Sequence, residues 1–360
     1  MRSRKSPAEA DLSESDHARL FPSLGVYDAR RDLWKLQIHG RVFREAKVPL
    51  SKRLLLRGLK KAMKASPEEL ASETFRQRIG GFLARPVRGK RIVLNIGGKD
   101  FRLRRRTRRN GSFVASIKVT GAWLNTVLGE NPIADRSIPV RLIRSNAHSQ
   151  DQGHCTSSIR PIEPIGISVV SDIDDTIKYT DSTCRQRMLT NTFLRPFEAV
   201  GGMAQLYQNW KKQGAEFHYV SSSPWELFEP LSELCQTGDF PAGSMHLRYF
   251  RIRDEMFKRW RPIRRKGKAG IIAGLMIQYP QRCFILVGDS GERDPEIYRI
   301  LAKRFPKQVA GILIREIPDH TIEGKRRDKL QTLASGTFVR IFKTADELNG
   351  IDLSILARRT

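Results

Sequence analysis

The sequence lacks the patterns that would place the protein outside the reducing interior of a cell. Its 4 cysteines are scattered and form no CxxC pair, so we expect neither a zinc site nor a disulfide framework. No stretch approaches the roughly eighteen consecutive apolar residues of a membrane-spanning helix, and the polar opening "MRSRKSPAEADLSESDHARLF" has no apolar signal-peptide core. These absences predict a cytoplasmic protein whose contact with membranes is at most peripheral.

Acidic residues are scarce relative to basic ones. The chain of 360 residues has 38 Asp and Glu against 65 Lys and Arg, which gives a formal net charge of +27. A hydrophobic fraction of 39% is close to that of ordinary soluble proteins, so the chain is expected to fold without a partner. Charge of this size indicates the kind of partner rather than the fold, and nucleic acid, an anionic membrane and a phosphorylated substrate all fit it.

The chain divides by its sequence texture into a tail and two domains. Residues 1–20 are charged and poor in large apolar side chains, which is typical of a mobile tail. Residues 21–163 include alternating runs such as "RIVLNIGG" and "GSFVASIKV", which predict a β-sandwich-like accessory domain with a helical insert at 51–79. In residues 164–360, short apolar runs alternate with helical patterns, which predicts an α/β domain with a doubly wound parallel sheet.

Three aspartates fall within four positions of the run "SDIDDTIKYT", residues 171–180, at the end of the first strand of this sheet. In an isolated case, such a DxDxT pattern is more typical of a turn that caps the next segment. Three later features favour a functional site: Ser221 ends the second strand in "YVSSSP", Lys268 opens a helix, and "VGDSGERD" supplies Asp289 and Asp294. Because ligands of such sheets bind beyond the carboxyl ends of the strands, we expect these residues to converge.

This order of acids, hydroxyl, lysine and acids resembles the haloacid dehalogenase superfamily of phosphohydrolases. The longer runs "FHYVSSSPWELFEPLSEL", "FPAGSMHLRYF" and "FILVGDSGERDPEIY" are similar to the catalytic domain of the App1 family, the actin patch phosphatidate phosphatases and their bacterial relatives. The resemblance covers about residues 165–320. It implies a haloacid dehalogenase-like, Rossmannoid parallel sheet without a large cap, and a Mg²⁺-dependent phosphatidate phosphatase that produces diacylglycerol and phosphate.

The same resemblance implies four catalytic roles. Asp172 is expected to be the nucleophile that forms an aspartyl-phosphate, and Asp174 to protonate the leaving alcohol and then activate water. Ser221 would hydrogen-bond the transferring phosphoryl group. Lys268 would stabilise the negative charge of that group.

The resemblance also implies a metal site. Asp172, Asp289 and the Asp174 backbone carbonyl would bind Mg²⁺, with Asp294 as a further candidate that equally suits a helix N-cap. Clustered carboxylates and an anionic phosphate repel one another, and a hard cation with oxygen ligands removes that repulsion. The concentration of negative charge in a basic chain is therefore explained if a cation binds there.

Other polar residues near the motifs leave alternatives open. Thr176 and Ser222 are candidate substrate-binding residues, although Ser222 also suits a turn. Asp175 is more typical of a residue that shapes the turn than of a metal ligand. Lys266 competes with Lys268 for the lysine role, and the spacing to the following "YP" favours Lys268.

The choice of substrate depends on two observations. The interval between Asp174 and "YVSSS" is too short for a large cap, so the site suits a bulky phosphomonoester such as a lipid headgroup or a nucleic-acid end. Basic runs at 104–109, 251–268 and 323–329 are either solvated faces or contacts with an anionic surface such as a phosphatidate-containing membrane. A phosphatase of nucleic-acid ends and a non-catalytic module that binds anionic lipid remain the alternatives.

Overall fold

The chain forms two compact units, and one segment that interrupts the sequence of the first unit belongs to the second. The structure is a computed structural model, and it describes residues 11–45, 50–129, 137–144, 156–248, 267–333 and 336–358. The first unit comprises residues 1–48 and 83–163, and the second comprises residues 49–82 and 164–360.

The first unit is a mainly antiparallel β structure built around one long strand. Its elements are β1 (His17–Phe21), β2 (Ser23–Asp28), β3 (Leu33–Arg44), β4 (Arg85–Pro86), β5 (Val93–Ile96), β6 (Lys99–Arg102), β7 (Ser112–Thr120), helix α4 (Gly121–Leu128), β8 (Ile138–Ile143) and β9 (Thr156–Ile162). Strand β3 pairs with β1, β2, β4 and β7, and the sheet continues from β2 through β9, β8 and β5 to β6. Alternate side chains of β3 are buried, and they join a core contributed by most of the other strands. The expected β-sandwich-like domain is confirmed.

The expected tail of residues 1–20 was drawn too long. Residues His17–Phe21 form β1, which pairs antiparallel with β3. The fully buried Asp16 precedes this strand, and its carboxylate pairs with Arg44 and, at 3.0 Å, with Lys90. These ion pairs fix a polar stretch that contains too few large apolar side chains to indicate a strand.

The second unit is a six-stranded parallel sheet flanked by helices. Its strands are β10 (Gly166–Ser171), β11 (Glu216–Pro224), β12 (Gly243–Arg248), β13 (Arg282–Asp289), β14 (Val309–Arg315) and β15 (Phe338–Phe342). They lie in the order β12-β11-β10-β13-β14-β15, all parallel. This is the doubly wound order 3-2-1-4-5-6, and the site is expected where the order reverses, beside the first strand. The predicted fold class is confirmed.

The helices of the second unit come from two parts of the chain. They are α1 (Leu50–Met63), α2 (Pro67–Ala71), α3 (Glu73–Leu83), α5 (Arg185–Phe193), α6 (Met203–Lys212), α7 (Phe228–Thr237), α8 (Lys268–Gln278), α9 (Asp294–Arg304), α10 (Gly324–Gln331) and α11 (Leu353–Ala357). None of the helices in the described ranges is both long and apolar enough to cross a bilayer. Only α5 and α6 lie between β10 and β11, which leaves no room there for a cap domain.

The helical insert was expected to belong to the first domain, and this grouping is wrong. Helices α1 to α3 cluster with the second unit, where α1 packs against α5. The buried guanidinium of Arg78 in α3 donates hydrogen bonds to two backbone carbonyls at the end of α5, that of Thr192 at 2.6 Å and that of Arg195 at 2.7 Å. A sequence pattern shows where a helix is, but it does not show which core its apolar face joins.

Candidate active site

The predicted site residues converge at the carboxyl end of the parallel sheet. Asp172 follows β10 directly, and its backbone N–H donates to the carbonyl of Val287 in β13 at 2.9 Å. Asp289 ends β13, and Lys268 and Asp294 begin helices α8 and α9. The parallel pairing of β10 with β13 thus brings residues more than one hundred positions apart in the sequence into one buried cluster.

Lys268 lies at the centre of this cluster. Its ammonium Nζ is 2.8 Å from Asp172 Oδ1 and 3.8 Å from Glu292 Oε2, and it also pairs with Asp294 Oδ1. Burial disfavours the charge on Lys268, but Asp172, Asp294 and Glu292 outweigh burial and raise the pKa of this lysine. The contacts of Lys268 with Asp172 and Asp294 support its choice for the lysine role. The competing Lys266 lies outside the described residues.

Three carboxylates form a group able to hold a cation. Oxygen atoms of Asp172, Asp289 and Glu292 all lie within 4.8 Å of one another. Burial and the repulsion from neighbouring acids raise the pKa of Asp172 well above its usual value, that of Asp289 to about 7 and that of Glu292 to about 8. Within the described part of the chain, the buried Asp172 Oδ2 and Asp289 Oδ2 have no hydrogen-bond partner. These orphaned oxygens and the oxygen-only donor set fit a hard divalent cation.

Glu292 was absent from the sequence-based prediction. It lies in the turn "GDSGERD", whose acids at positions 289 and 294 attracted attention because of their spacing. The carboxylate oxygen Oδ1 of Asp289 accepts hydrogen bonds from the backbone N–H groups of Gly291 and Glu292, at 2.7 and 2.8 Å. This turn orients Asp289 and brings the Glu292 side chain back toward Asp172.

Asp294 has contacts that differ from those of the expected metal ligand. Its side chain is fully buried; Oδ1 pairs with Lys268, and Oδ2 is 3.4 Å from both the Asp289 backbone N–H and the Tyr298 hydroxyl. The backbone approaches so closely that a Cβ atom at Gly288 would lie 2.2 Å from Asp294 Oδ2, which explains the glycine. Asp294 thus contacts Lys268 and the end of β13, and its expected metal role stays a prediction.

Asp174 is held on the other side of the catalytic loop by a different set of groups. Its Oδ2 accepts hydrogen bonds from Ser221 and Ser223, at 2.8 and 2.9 Å. Its Oδ1 accepts from Thr180 at 2.8 Å and pairs with the buried Lys178 at 2.9 Å. Burial raises the pKa of Asp174, but Lys178 and the hydroxyl donors outweigh burial, so the net pKa is lowered. Both carboxylate oxygens of Asp174 are therefore engaged, which is compatible with the expected metal contact through its backbone carbonyl.

Lys178, Thr180 and Ser223 are thus part of the site although they were not among the predicted residues. The sequence signal was available in "DDTIKYT", because a lysine four positions after an aspartate can reach it. Without an assumed local conformation, however, a lysine in a chain with 65 basic residues does not attract attention.

The conformation of the turn after Asp174 depends on Asp175. Asp175 adopts the left-handed conformation with φ of 54°, and its carboxylate accepts backbone hydrogen bonds from Thr180, Asp181 and Ser182. Arg315, at the end of β14, donates to the Asp175 carbonyl at 2.8 Å. Asp175 shapes the turn, as the sequence indicated, and Arg315 anchors that turn to the sheet.

The two candidate substrate-binding residues differ in exposure. Thr176 is fully buried, and its hydroxyl has no hydrogen-bond partner in the part of the chain that the structure describes. Ser222 is exposed beside the buried Ser221. An orphaned buried hydroxyl is the rarer observation, so Thr176 is the stronger of the two candidates for a ligand contact.

These features define a class of protein: a doubly wound α/β domain whose sheet carries, at its switch point, a buried candidate nucleophile, a lysine paired with that carboxylate, and a group of acids able to hold a cation. Residues 167–316 match the family model described as "Phosphatidate phosphatase APP1, catalytic domain". Over these residues the chain is similar to the App1 catalytic domain, as the motifs had indicated.

Two fungal proteins are similar over longer stretches. Phosphatidate phosphatase APP1 of Saccharomyces cerevisiae is 30% identical over 264 residues, which is 70% of this chain and 43% of the yeast protein. An uncharacterized protein of Schizosaccharomyces pombe is 28% identical over 186 residues, 50% of this chain and 30% of that protein. The chain thus spans less than half the length of either relative. Among solved structures, a putative β-phosphoglucomutase from Thermotoga maritima aligns with 51% of this chain and 96% of its own, with 13% identity and a TM-score of 0.30.

Proposed function

We propose that the protein is a Mg²⁺-dependent phosphatidate phosphatase that acts in the cytoplasm, peripherally at a membrane surface. The observation that carries the proposal is the buried, orphaned Asp172 Oδ2 beside Lys268 and the three-carboxylate group. The family match of the domain and the name of the yeast relative support phosphatidate as the substrate. The exposed basic residues of the chain suit an anionic lipid surface.

In the proposed reaction, Asp172 Oδ2 attacks the phosphorus atom and the bond to the glycerol oxygen breaks. Lys268 holds the other oxygen of Asp172, so the attacking oxygen has one orientation. When bound, Mg²⁺ would neutralise charge between the phosphate and the carboxylates, and Asp172, Asp289 and Glu292 are the residues that would hold it. Thr176 would contribute its hydroxyl to a phosphate oxygen.

Asp174 is proposed to move the proton in both halves of the reaction. Ser221, Ser223 and Thr180 fix both of its oxygens, so the carboxylate cannot rotate away between steps. Lys178 favours its ionised form, and the arriving anionic phosphate favours protonation. The protonated acid gives its proton to the departing alkoxide, which leaves as diacylglycerol. The carboxylate then takes a proton from water, which attacks the phosphorus and releases phosphate from Asp172.

The test is phosphate release by the purified protein from four substrates, with and without Mg²⁺. The substrates are phosphatidate in mixed micelles, lysophosphatidate, a 5′-phosphorylated DNA end and a small chromogenic phosphate ester, with Asp172→Asn as the control for contaminating phosphatases. We expect Mg²⁺-dependent release that is fastest from phosphatidate. Turnover of the DNA end or the small ester alone would refute the lipid substrate, and no release from any of them would refute the enzyme.

A further inference from the structure

Helix α1 presents a basic surface that no role in the catalytic site explains. Arg53, Arg57, Lys60 and Lys61 are all exposed, and Leu54 among them is 53% exposed. We call these five residues the α1 basic face. The inward side of the same helix carries half-buried Leu56 and Leu59 and the buried Met63, which pack on the second unit.

The charges of the α1 basic face are concentrated without local compensation. Positions 53, 57, 60 and 61 are spaced by four, seven and eight residues, so they share one side of an α-helix. Like charges four residues apart repel each other and destabilise a helix. No acidic residue occurs in α1, and none of the four cations forms an ion pair with another described residue. Such a face gains stability from an external anionic partner.

The three acids that follow α1 in its segment have other partners. Glu68 hydrogen-bonds to Ser66. Glu69 in α2 pairs with Arg195 at 3.0 Å, and Glu73 in α3 is 4.0 Å from Arg76. The α1 basic face is therefore not neutralised by the acids of its own segment.

The α1 basic face belongs to the catalytic end of the second unit. Helix α1 packs against α5, which begins shortly after the catalytic loop of residues 172–180. Asn191 in α5 donates to the carbonyl of Thr180 at 3.1 Å, and the hydroxyl of Thr180 in turn binds Asp174. Helix α1 is therefore linked through α5 to the loop that carries Asp174.

We propose that the α1 basic face is a docking surface for an anionic phospholipid bilayer, an inference that rests on the proposed lipid substrate. Four clustered cations complement anionic headgroups, and Leu54, one turn from Arg57 and two turns from Lys61, can enter the boundary between headgroups and acyl chains. A nucleic-acid backbone would complement the charge but would leave Leu54 in water. The presence of an exposed leucine within the basic cluster favours the bilayer.

One of the basic runs noticed in the sequence is a weaker candidate for this role. Arg326, in the run 323–329, donates to the backbone carbonyls of Ser290 and Glu292 and pairs with Glu296. That arginine supports the loop of the three-carboxylate group. Most of the run 251–268 lies outside the described residues.

The test compares two fourfold variants that lose the same charge. The first is Arg53→Gln, Arg57→Gln, Lys60→Gln and Lys61→Gln. The control is Lys212→Gln, Lys303→Gln, Arg304→Gln and Lys307→Gln. All four residues are exposed and lie at or just beyond the ends of α6 and α9, before β11 and β14, so they belong to the end of the sheet opposite the catalytic loop. Binding is measured by flotation with phosphatidylcholine vesicles that contain phosphatidylglycerol, an anionic lipid that is not a phosphomonoester.

We expect the α1 variant to bind these vesicles at least about 10-fold more weakly than the wild type, and the control to change by less than about 3-fold. Leu54→Gln is expected to weaken binding a few-fold without any change in charge. Equal losses in the two fourfold variants, or wild-type binding by the α1 variant, would overturn the proposal. If Leu54→Gln has no effect on vesicles and the α1 variant loses binding to DNA instead, the partner is a nucleic acid.

Turnover separates this proposal from the proposed function. Both fourfold variants are expected to hydrolyse monomeric short-chain phosphatidate like the wild type, while only the α1 variant loses activity on phosphatidate in vesicles. If the wild type hydrolyses no phosphatidate but floats with vesicles through α1, the proposed function fails and the docking surface stands. If the wild type hydrolyses phosphatidate but does not float with anionic vesicles, the docking surface fails alone.

Discussion

The parallel sheet carries two buried polar clusters with opposite properties. One is a lateral chain formed by Ser168 in β10, His218 in β11, Ser244 and His246 in β12, and Arg282 in β13. Every member of this chain has a hydrogen-bond partner. Arg282 donates to the Ser168 hydroxyl, and each ring nitrogen of His218 lies within hydrogen-bond distance of a serine hydroxyl, Ser168 on one side and Ser244 on the other.

The other cluster, at the carboxyl end of the sheet, leaves oxygens of Asp172, Asp289 and Thr176 without hydrogen-bond partners within the described ranges. It also gathers carboxylates around a single ammonium group. Burial of polar groups without partners costs stability, so a cluster that retains them depends on something that binds. The comparison teaches that hydrogen-bond satisfaction, rather than burial or polarity, distinguishes the structural cluster from the functional one.

The largest expected effect is a loss of activity when the cluster at the carboxyl end of the sheet is changed. Asp172→Asn should lower kcat for phosphatidate by roughly 10⁴-fold or more, because it removes the nucleophile. The amide keeps the shape of the side chain and removes one charge from a crowded group, so the melting temperature should not fall. Steady-state phosphate release and differential scanning calorimetry on the same preparation check both statements. Retained turnover would remove Asp172 from the mechanism.

The reverse pattern is expected for the lateral chain. His218→Ala leaves the hydroxyls of Ser168 and Ser244 without their shared partner and opens a cavity, which should lower the free energy of unfolding by about 3 kcal/mol. Denaturant unfolding measures this loss, and kcat of the folded variant should stay within about 3-fold of the wild type. A large loss of kcat without a loss of stability would show that the lateral chain takes part in catalysis.

Removal of the arginine that supports the loop of Asp289 and Glu292 should have an intermediate effect on activity. Arg326→Gln removes the donors to the carbonyls of Ser290 and Glu292, so the Mg²⁺ concentration for half-maximal activity should rise on the order of 10-fold. Arg327→Gln is the matched control, because Arg327 is the next residue in the chain and its side chain is exposed. Equal Mg²⁺ requirements in the two variants would contradict the role of Arg326.

Metal removal should expose the repulsion within the carboxylate group. The pKa of Asp289 is raised to about 7, so its ionisation destabilises the folded state as the pH rises through that value. In EDTA at pH 8, Asp289→Asn should therefore melt a few degrees above the wild type, and added Mg²⁺ should stabilise the wild type more than the variant. A variant that melts lower in EDTA would show that Asp289 is a structural rather than a functional carboxylate.

The smallest expected effect is a pH dependence of the lateral chain. Burial lowers the pKa of His218, and it lowers that of His246 to about 4. The unfolded chain therefore binds protons below about pH 6.5 that the folded chain excludes, and stability is lost as the pH falls from there. Between pH 7 and pH 5, the free energy of unfolding of the wild type should fall by on the order of 1 kcal/mol more than that of His246→Gln. Both proteins contain the same acid cluster, so its titration cancels in this comparison. Parallel pH profiles would contradict the neutral chain of hydrogen bonds.

The sequence was sufficient for the parts of the site that lie at strand ends. Asp172, Ser221 and Asp289 follow apolar runs, and the geometry of a parallel sheet brings such positions together without further information. His218 lies within an apolar run, a position typical of a core histidine, and the structure buries it fully. The order of the elements, read with the motifs, also indicated the fold class.

What the sequence did not indicate depends on contacts made by irregular segments. Glu292 reaches the cluster only because the turn after Asp289 folds back, and Lys178 reaches Asp174 only because Asp175 adopts a left-handed conformation. Helices α1 to α3 were assigned to the wrong unit because Arg78 binds carbonyls at the end of α5, more than one hundred residues later. Local patterns carry no signal for these long-range hydrogen bonds.

The most direct test of the central claim is to locate the phosphoryl group on the protein during turnover. Acid quenching of the wild type within the first turnovers after phosphatidate and Mg²⁺ are mixed should trap the intermediate for peptide mass spectrometry. We predict one phosphoryl group on Asp172, and none in the variant that carries Asp172→Asn. A phosphoryl group on another residue, or turnover without any phosphorylated peptide, would contradict the assignment of the orphaned Asp172 oxygen as the nucleophile.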